Sequence, residues 1–113
     1  MSQMDLTNKF KSVLKKLSKN DPELFAEVHE RMKLLEDGYT EQLTIKPINR
    51  ENGKYKIQEI VINYPSSFRV FYIQVKMDGD NILLVDGQRK KVRKFKPNYF
   101  KQLDKCIKEH LND

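Results

Sequence analysis

The residues best suited to chemistry lie in the run DGQRKKVRKFKP, residues 86–97. Six of its twelve residues are basic: Arg89, Lys90, Lys91, Arg93, Lys94 and Lys96. Phe95 sits among them. Upstream, KYKIQE carries Lys56 and Gln58 two positions apart, and SSFRVFYIQV carries Arg69 on the strand face it shares with Phe71, Ile73 and Val75. An arginine on an otherwise apolar strand face is costly unless it has a partner or faces a cleft. An acid such as Glu59 supplies the partner if Arg69 sits at the sheet rim. Lys56, Gln58, Arg69 and Arg89 on one open sheet face would form a concave basic surface. Guanidinium forks match phosphate oxygens, and Tyr55, Tyr64, Tyr72 or Phe95 would stack on unpaired bases. This is the chemistry of binding RNA or DNA.

Other chemistries find little support. His29 and His110 are the two histidines, and neither has thiolate or carboxylate neighbours at ligand spacing. The one cysteine, Cys106, falls on an apolar helix pattern and reads as core filling. It rules out an internal disulfide and fits a reducing cytosol. DGDN is too short for a calcium loop and reads as a hairpin turn. Four glycines in all, with no clustered motif, make no phosphate loop. Neither a metal nor a small-molecule cofactor is expected.

The charge is asymmetric. Residues 1–45 hold seven basic and eight acidic side chains; residues 46–113 hold fifteen basic and eight acidic. The excess of +6 thus belongs to the second part. It implies a polyanionic partner (nucleic acid, an anionic membrane surface or an acidic protein) or a merely solubilising composition. Residues 1–113 are expected to form one domain. No apolar run approaches the ~20 residues of a membrane span, and no secretory leader is visible. A cytoplasmic location is expected.

The elements that must position these residues follow from periodicity. Leu6, Phe10, Val13, Leu14 and Leu17 make one helical face over 6–17, with Asp5 or Thr7 as cap. Asp21, Pro22 and Glu23 restart a second helix, carried by Phe25, Val28, Met32 and Leu35 and stopped at Gly38. Strands are expected over 42–48, 54–62, 68–76 and 81–86, and a last helix from Pro97 with Phe100, Leu103, Ile107 and Leu111 on one face. The expected fold class is α+β: an N-terminal helical hairpin packed on a four-stranded, mostly antiparallel sheet, with a C-terminal helix and the helices on one sheet face.

The order of helical hairpin, GKYKIQE, SSFRVFY, strand and GQRKKVRKF resembles the RelE/HigB toxins of the RelE/ParE toxin–antitoxin superfamily. The KKxxK pattern at Lys90, Lys91 and Lys94 resembles the phage-derived HigB-type branch. The resemblance implies a RelE-like, microbial-RNase-type fold. It implies a metal-independent mRNA interferase of a type II toxin–antitoxin system, an endoribonuclease that cuts mRNA on the ribosome and inhibits translation. It further implies ribosomal RNA contacts and a cognate antitoxin protein as partner. Carried over, Lys56 is a candidate base or phosphate contact, Arg69 grips the scissile phosphate, and Arg89 contacts the transition state. Gln58, Lys90, Lys91, Arg93, Lys94, Phe95 and Lys96 are expected to touch RNA or the ribosome. Gln58 stands where the RelE branch has a second lysine, and Phe95 where it has a tyrosine. Phenylalanine keeps stacking and loses the hydroxyl's proton. Lys90, Lys91 or Tyr99 would then supply acid–base chemistry. The alternatives are a toxin-fold protein without nuclease activity, such as a DNA gyrase inhibitor of the ParE type, and a phage-derived protein that binds nucleic acid nonspecifically.

Overall fold

A computed structural model describes residues 3–51, 53–76, 80–91 and 93–112. The elements are β1 (Gln3–Leu6), α1 (Asn8–Asn20), α2 (Pro22–Glu36), β2 (Ile45–Pro47), β3 (Gln58–Ile62), β4 (Phe68–Lys76), β5 (Asp80–Arg89) and α3 (Pro97–Asn112), with a 3-10 turn at Thr40–Gln42. The domain is α+β, and no helix among the described residues is long and apolar enough to cross a membrane. The hairpin turn expected at MDGD lies largely outside the described residues.

The helix boundaries follow their caps. Thr7 accepts a hydrogen bond from the Phe10 amide at 3.1 Å, which settles the first cap in its favour over Asp5. Asp21 alone separates α1 from α2; its Oδ1 accepts from the Leu24 amide at 3.3 Å, and Pro22 opens α2. Gly38 ends that region at φ +85°, a conformation that side chains rarely adopt.

The sheet has five strands, not four, in the order β1-β5-β4-β3-β2. The added strand is β1, which runs parallel to β5 and pairs Gln3 with Asn81 and Leu6 with Leu84. Four residues are too few to show a period of two, so Leu6 reads as the start of a helix when it closes a strand. The other pairings are antiparallel. β3 starts at Gln58, which leaves Lys56 outside the ladder.

Helices cover both faces of the sheet, not one. Phe10, Leu17, Leu24, Val28, Met32 and Leu35 of α1 and α2 pack on Ile60, Ile62, Phe68, Val70, Tyr72, Ile82 and Leu84. On the other face, Phe100, Leu103 and Ile107 of α3 pack on Ile57, Phe71, Ile73, Leu83 and Val85. The cause is visible in the central strands, where successive residues of VFYI and ILLV are apolar, so each strand has two faces to bury. Leu111 lies past this contact and is exposed.

One irregularity governs the far end of the sheet. Phe71 pairs with Asp86 but Tyr72 pairs with Leu84, so Val85 is an extra residue. This is a β-bulge, and it reverses the alternation of everything beyond it. Before the bulge, odd-numbered residues of β5 face α3; after it, even-numbered ones do. Asp86 and Gln88 therefore join Val85 on the α3 side, while Gly87 and Arg89 turn toward α1 and α2. Gly87 is required there, since a Cβ would meet the Phe68 ring at 2.8 Å.

Candidate nucleic-acid interface

The α3 face is apolar at one end and polar at the other. Cross-strand pairing sets Lys46, Glu59, Phe71 and Asp86 in one row, and Val61, Arg69 and Gln88 in the next. α3 covers the apolar end, and its first turn reaches only as far as Phe71 and Asp86. Beyond it opens a groove of about 630 Å³. One wall is the end of β2 at Pro47 with the β2–β3 connection, including Ile48, Asn49 and Arg50. The opposite wall is the basic segment with Lys90, Arg93, Lys94 and Phe95, continued by Phe100 and Lys101 of α3. Glu59 also lines it.

The walls are braced. Arg50 donates to both Asp104 oxygens, at 2.7 and 2.9 Å, and to the Tyr55 carbonyl at 2.7 Å. Phe95 is half-buried, stacks on Tyr99 at 5.3 Å and meets Phe71 edge-on at 5.4 Å. With Arg50 and Asp104 spent on each other, four cations (Lys90, Arg93, Lys94, Lys101) face two carboxylates (Glu51, Glu59) in the groove. The groove is an anion-attracting slot with an aromatic side. Its outer cations suit phosphates, and the Phe95 ring suits a base.

The expected catalytic cations do not converge. Arg69 is on the α3 face and buried. Its Nη1 donates to the carbonyls of Ile62 and Phe68 at 3.1 and 3.0 Å, and its Nε lies 3.9 Å from Glu59 Oε2. Among the described residues that Nε has no hydrogen-bond partner. Arg89 is on the opposite face, where its Nη2 donates to Asp21 at 2.7 Å and its Nη1 to Ser66 at 3.1 Å. The Arg89 guanidinium holds the Asp21 carboxyl below its ordinary range, helped by the Leu24 amide. Arg89 thus ties the end of β5 to the α1–α2 joint. Lys56 is exposed and precedes β3. Gln58, paired with Tyr72, faces α1 and α2. The open basic face carrying Lys56, Gln58, Arg69 and Arg89 does not form, because α3 covers one side and the bulge turns Arg89 to the other.

The remaining candidates divide. Lys90, Arg93, Lys94 and Phe95 line the groove, whereas Lys91 and Lys96 are exposed beside it. Tyr72 is buried under α1 and α2 and cannot stack on a base; Tyr64 is largely exposed. Tyr99 donates its hydroxyl proton to buried Asp86, which also accepts from Gln88 at 3.2 Å and lies 3.9 Å from Lys9. Burial first, then the Asp86 charge, push the Tyr99 phenol far above its ordinary range. Its proton is committed to a tie between α3 and β5. Burial likewise raises the Cys106 thiol, consistent with a packing role. Among the described residues no cluster of His, Cys, Asp or Glu could hold a metal ion.

Sequence reasoning passed over Glu59 as more than a partner for Arg69. It is 7% exposed, opens on the groove and has only Arg69 as a charged partner within 4 Å among the described residues. The signal was a lone acid in KIQEIVI, one residue out of step with the polar positions beside it. No protein-family model matches the chain, and neither a curated protein nor a solved structure matches it.

Proposed function

We propose that the protein is the toxin of a type II toxin–antitoxin system and acts as an endoribonuclease on ribosome-bound mRNA. The observation that carries this reading is the groove. Four cations line a slot with an aromatic wall, and buried Arg69 stands behind the one carboxylate of β3. An RNA strand lies along it with phosphates on Lys90, Arg93, Lys94 and Lys101 and a base against Phe95. Lys91 and Lys96, exposed outside the groove, dock on ribosomal RNA. The order of motifs resembling RelE/HigB toxins supports the same reading. A cognate antitoxin then offers acidic side chains to residues 89–96, since a like-charged partner would be repelled.

The test is induction in cells, with new RNA 5′ ends and plasmid supercoiling mapped in the same culture. New 5′ ends within translated reading frames, with supercoiling unchanged, are expected. A second reading is favoured by the saturation of the arginines: Arg69 is spent largely on two carbonyls, and Arg89 on Asp21 and Ser66. On that reading the protein binds its target without cutting RNA, as a gyrase inhibitor does. Changed supercoiling with intact RNA identifies it.

A further inference from the structure

The groove is cationic at its rim and acidic at its floor. Lys90, Arg93, Lys94 and Lys101 line the walls, and Glu59 is the one acid that a sheet strand contributes among the described residues. β2 and β4 flank it, so its backbone is fixed on both sides. Arg69 stands behind it at 3.9 Å, too far for a hydrogen bond. The side-chain atoms that are both buried and unpartnered among the described residues are Arg69 Nε and Asp86 Oδ1. The Glu59 oxygens, which make no hydrogen bond there either, are therefore open to the groove. A carboxylate only accepts hydrogen bonds. At that point it repels a phosphate and suits a neutral donor. An aromatic ring stands close by. Glu59 pairs with Phe71 across the ladder, which sets their Cβ atoms ~4.5–5.5 Å apart. The Phe71 ring in turn lies 5.4 Å from that of Phe95. The carboxylate and the Phe95 ring thus flank the same stretch of groove.

We propose that Glu59 sets the sequence preference of this protein by reading guanine on its base-pairing edge. This rests on the reading of the groove as an RNA site. Unpaired bases offer that edge to side chains while they stack on aromatic rings. Guanine carries two parallel donors there, one on the ring nitrogen and one on the amino group. Their spacing matches the two oxygens of a single carboxylate. Adenine and cytosine each place an amino donor beside a bare ring nitrogen, which a carboxylate repels. Uracil places one donor between two carbonyls. A guanine against Phe95 turns its edge to Glu59, and the phosphates on either side of it meet the cations at the rim. Arg69 compensates the Glu59 charge from behind and touches no ligand. Glu59 selects the nucleotide and takes no proton. A bidentate contact of this kind discriminates between bases on the order of 10- to 100-fold.

The experiment is single-turnover cleavage by the full-length protein of ribosome-bound mRNAs with a randomised codon in the decoding site. The cut ends are sequenced. Wild type is expected to cut on the order of 10- to 100-fold faster where guanine holds one fixed position relative to the cut. Inosine at that position lacks the amino group and should slow cutting about tenfold. Glu59→Gln replaces one acceptor by a donor, which matches the donor–acceptor pair of adenine. This variant should keep cutting and move its preference from guanine to adenine at the same position. Wild-type cutting with no fixed guanine overturns the assignment and leaves the nuclease standing. A guanine preference that survives in Glu59→Gln overturns it as well. So does a folded Glu59→Gln protein that binds ribosomes and cuts no sequence, since Glu59 would then belong to the chemistry. If Glu59→Gln does not fold, wild type cutting the inosine mRNA as fast as the guanine one overturns it equally. A wild-type protein that binds ribosomes but cuts nothing overturns the RNA-cleavage reading itself and this inference with it.

Discussion

The two faces of the sheet are built by the same strands to different ends. Toward α1 and α2 the strands present Ile60, Ile62, Phe68, Val70, Tyr72, Ile82 and Leu84, a row of apolar side chains closed by two helices. Toward α3 they present an apolar half and then Lys46, Glu59, Arg69, Asp86 and Gln88. One helix cannot cover that length, and the groove occupies what it leaves. A closed face serves stability alone. A half-closed face keeps polar groups at its edge, with Glu59 on the open groove.

The largest effect that separates the faces should come from two phenylalanines, Phe10 and Phe71, each fully buried. Phe10→Ala and Phe71→Ala should each cost about 3–5 kcal/mol of stability in urea denaturation. Only Phe71 touches the wall of the groove, through Phe95 and Phe100. At a temperature where both variants are folded, the Phe71 variant should lose RNA affinity and the Phe10 variant should keep it. Equal affinities would mean that the groove does not depend on the core beneath it.

The arginines sharpen the same contrast. Arg69→Ala removes two hydrogen bonds to carbonyls and leaves Glu59 without its cation, so cleavage should fall on the order of 10²–10³-fold. Arg89→Ala breaks an exposed pair on the other face and should change cleavage by less than about threefold, with stability altered by no more than about 1 kcal/mol. The paired rate measurements decide whether the proposed cleavage belongs to one face or to both.

The smallest effect concerns the far end of α3. His110 Nε2 donates to Asp5 Oδ2 on β1 at 2.7 Å, and this contact holds the Asp5 carboxyl below its ordinary range. A depressed carboxyl pKa contributes stability above the unfolded value, and that contribution disappears as pH falls through the folded value. His110→Ala should therefore be slightly less stable than wild type near neutrality, by at most about 1 kcal/mol for so exposed a pair. The difference should close below about pH 4. Denaturation curves at several pH values would show a constant difference if the pair contributes nothing.

Much of this architecture was legible in the sequence. The caps at Thr7 and Asp21, the stop at Gly38, the central strands and the start of α3 at Pro97 are local signals, and local rules read them. Two-faced burial is written in VFYI and ILLV, which leave no polar side to face solvent, yet the expectation put the helices on one face only. What escaped reading is non-local. β1 shows no period over four residues, and its parallel partner lies 78 residues away. The register of β5 depends on a bulge at Val85 that no residue type announces. Without that extra residue Arg89 would point to the same face as Arg69, although Lys56 would stay outside the ladder and Gln58 on the other face. The groove residues Lys90, Arg93, Lys94 and Phe95 were found because composition alone marks them. Glu59 was read as a neutralising partner because sequence shows a charge but not the opening beside it.

The pairing of β1 with β5 also orders the birth of the fold. β1 is the first element of the described chain, and its partner strand is almost the last. Contacts of such long sequence separation form late, since the loop between them must close first. On a translating ribosome, α1 and α2 can nucleate while β1 waits for Asn81–Leu84 to emerge. The basic segment leaves immediately after β5. The sheet therefore closes only when the residues that line the groove are already being made, and a half-synthesised chain presents neither.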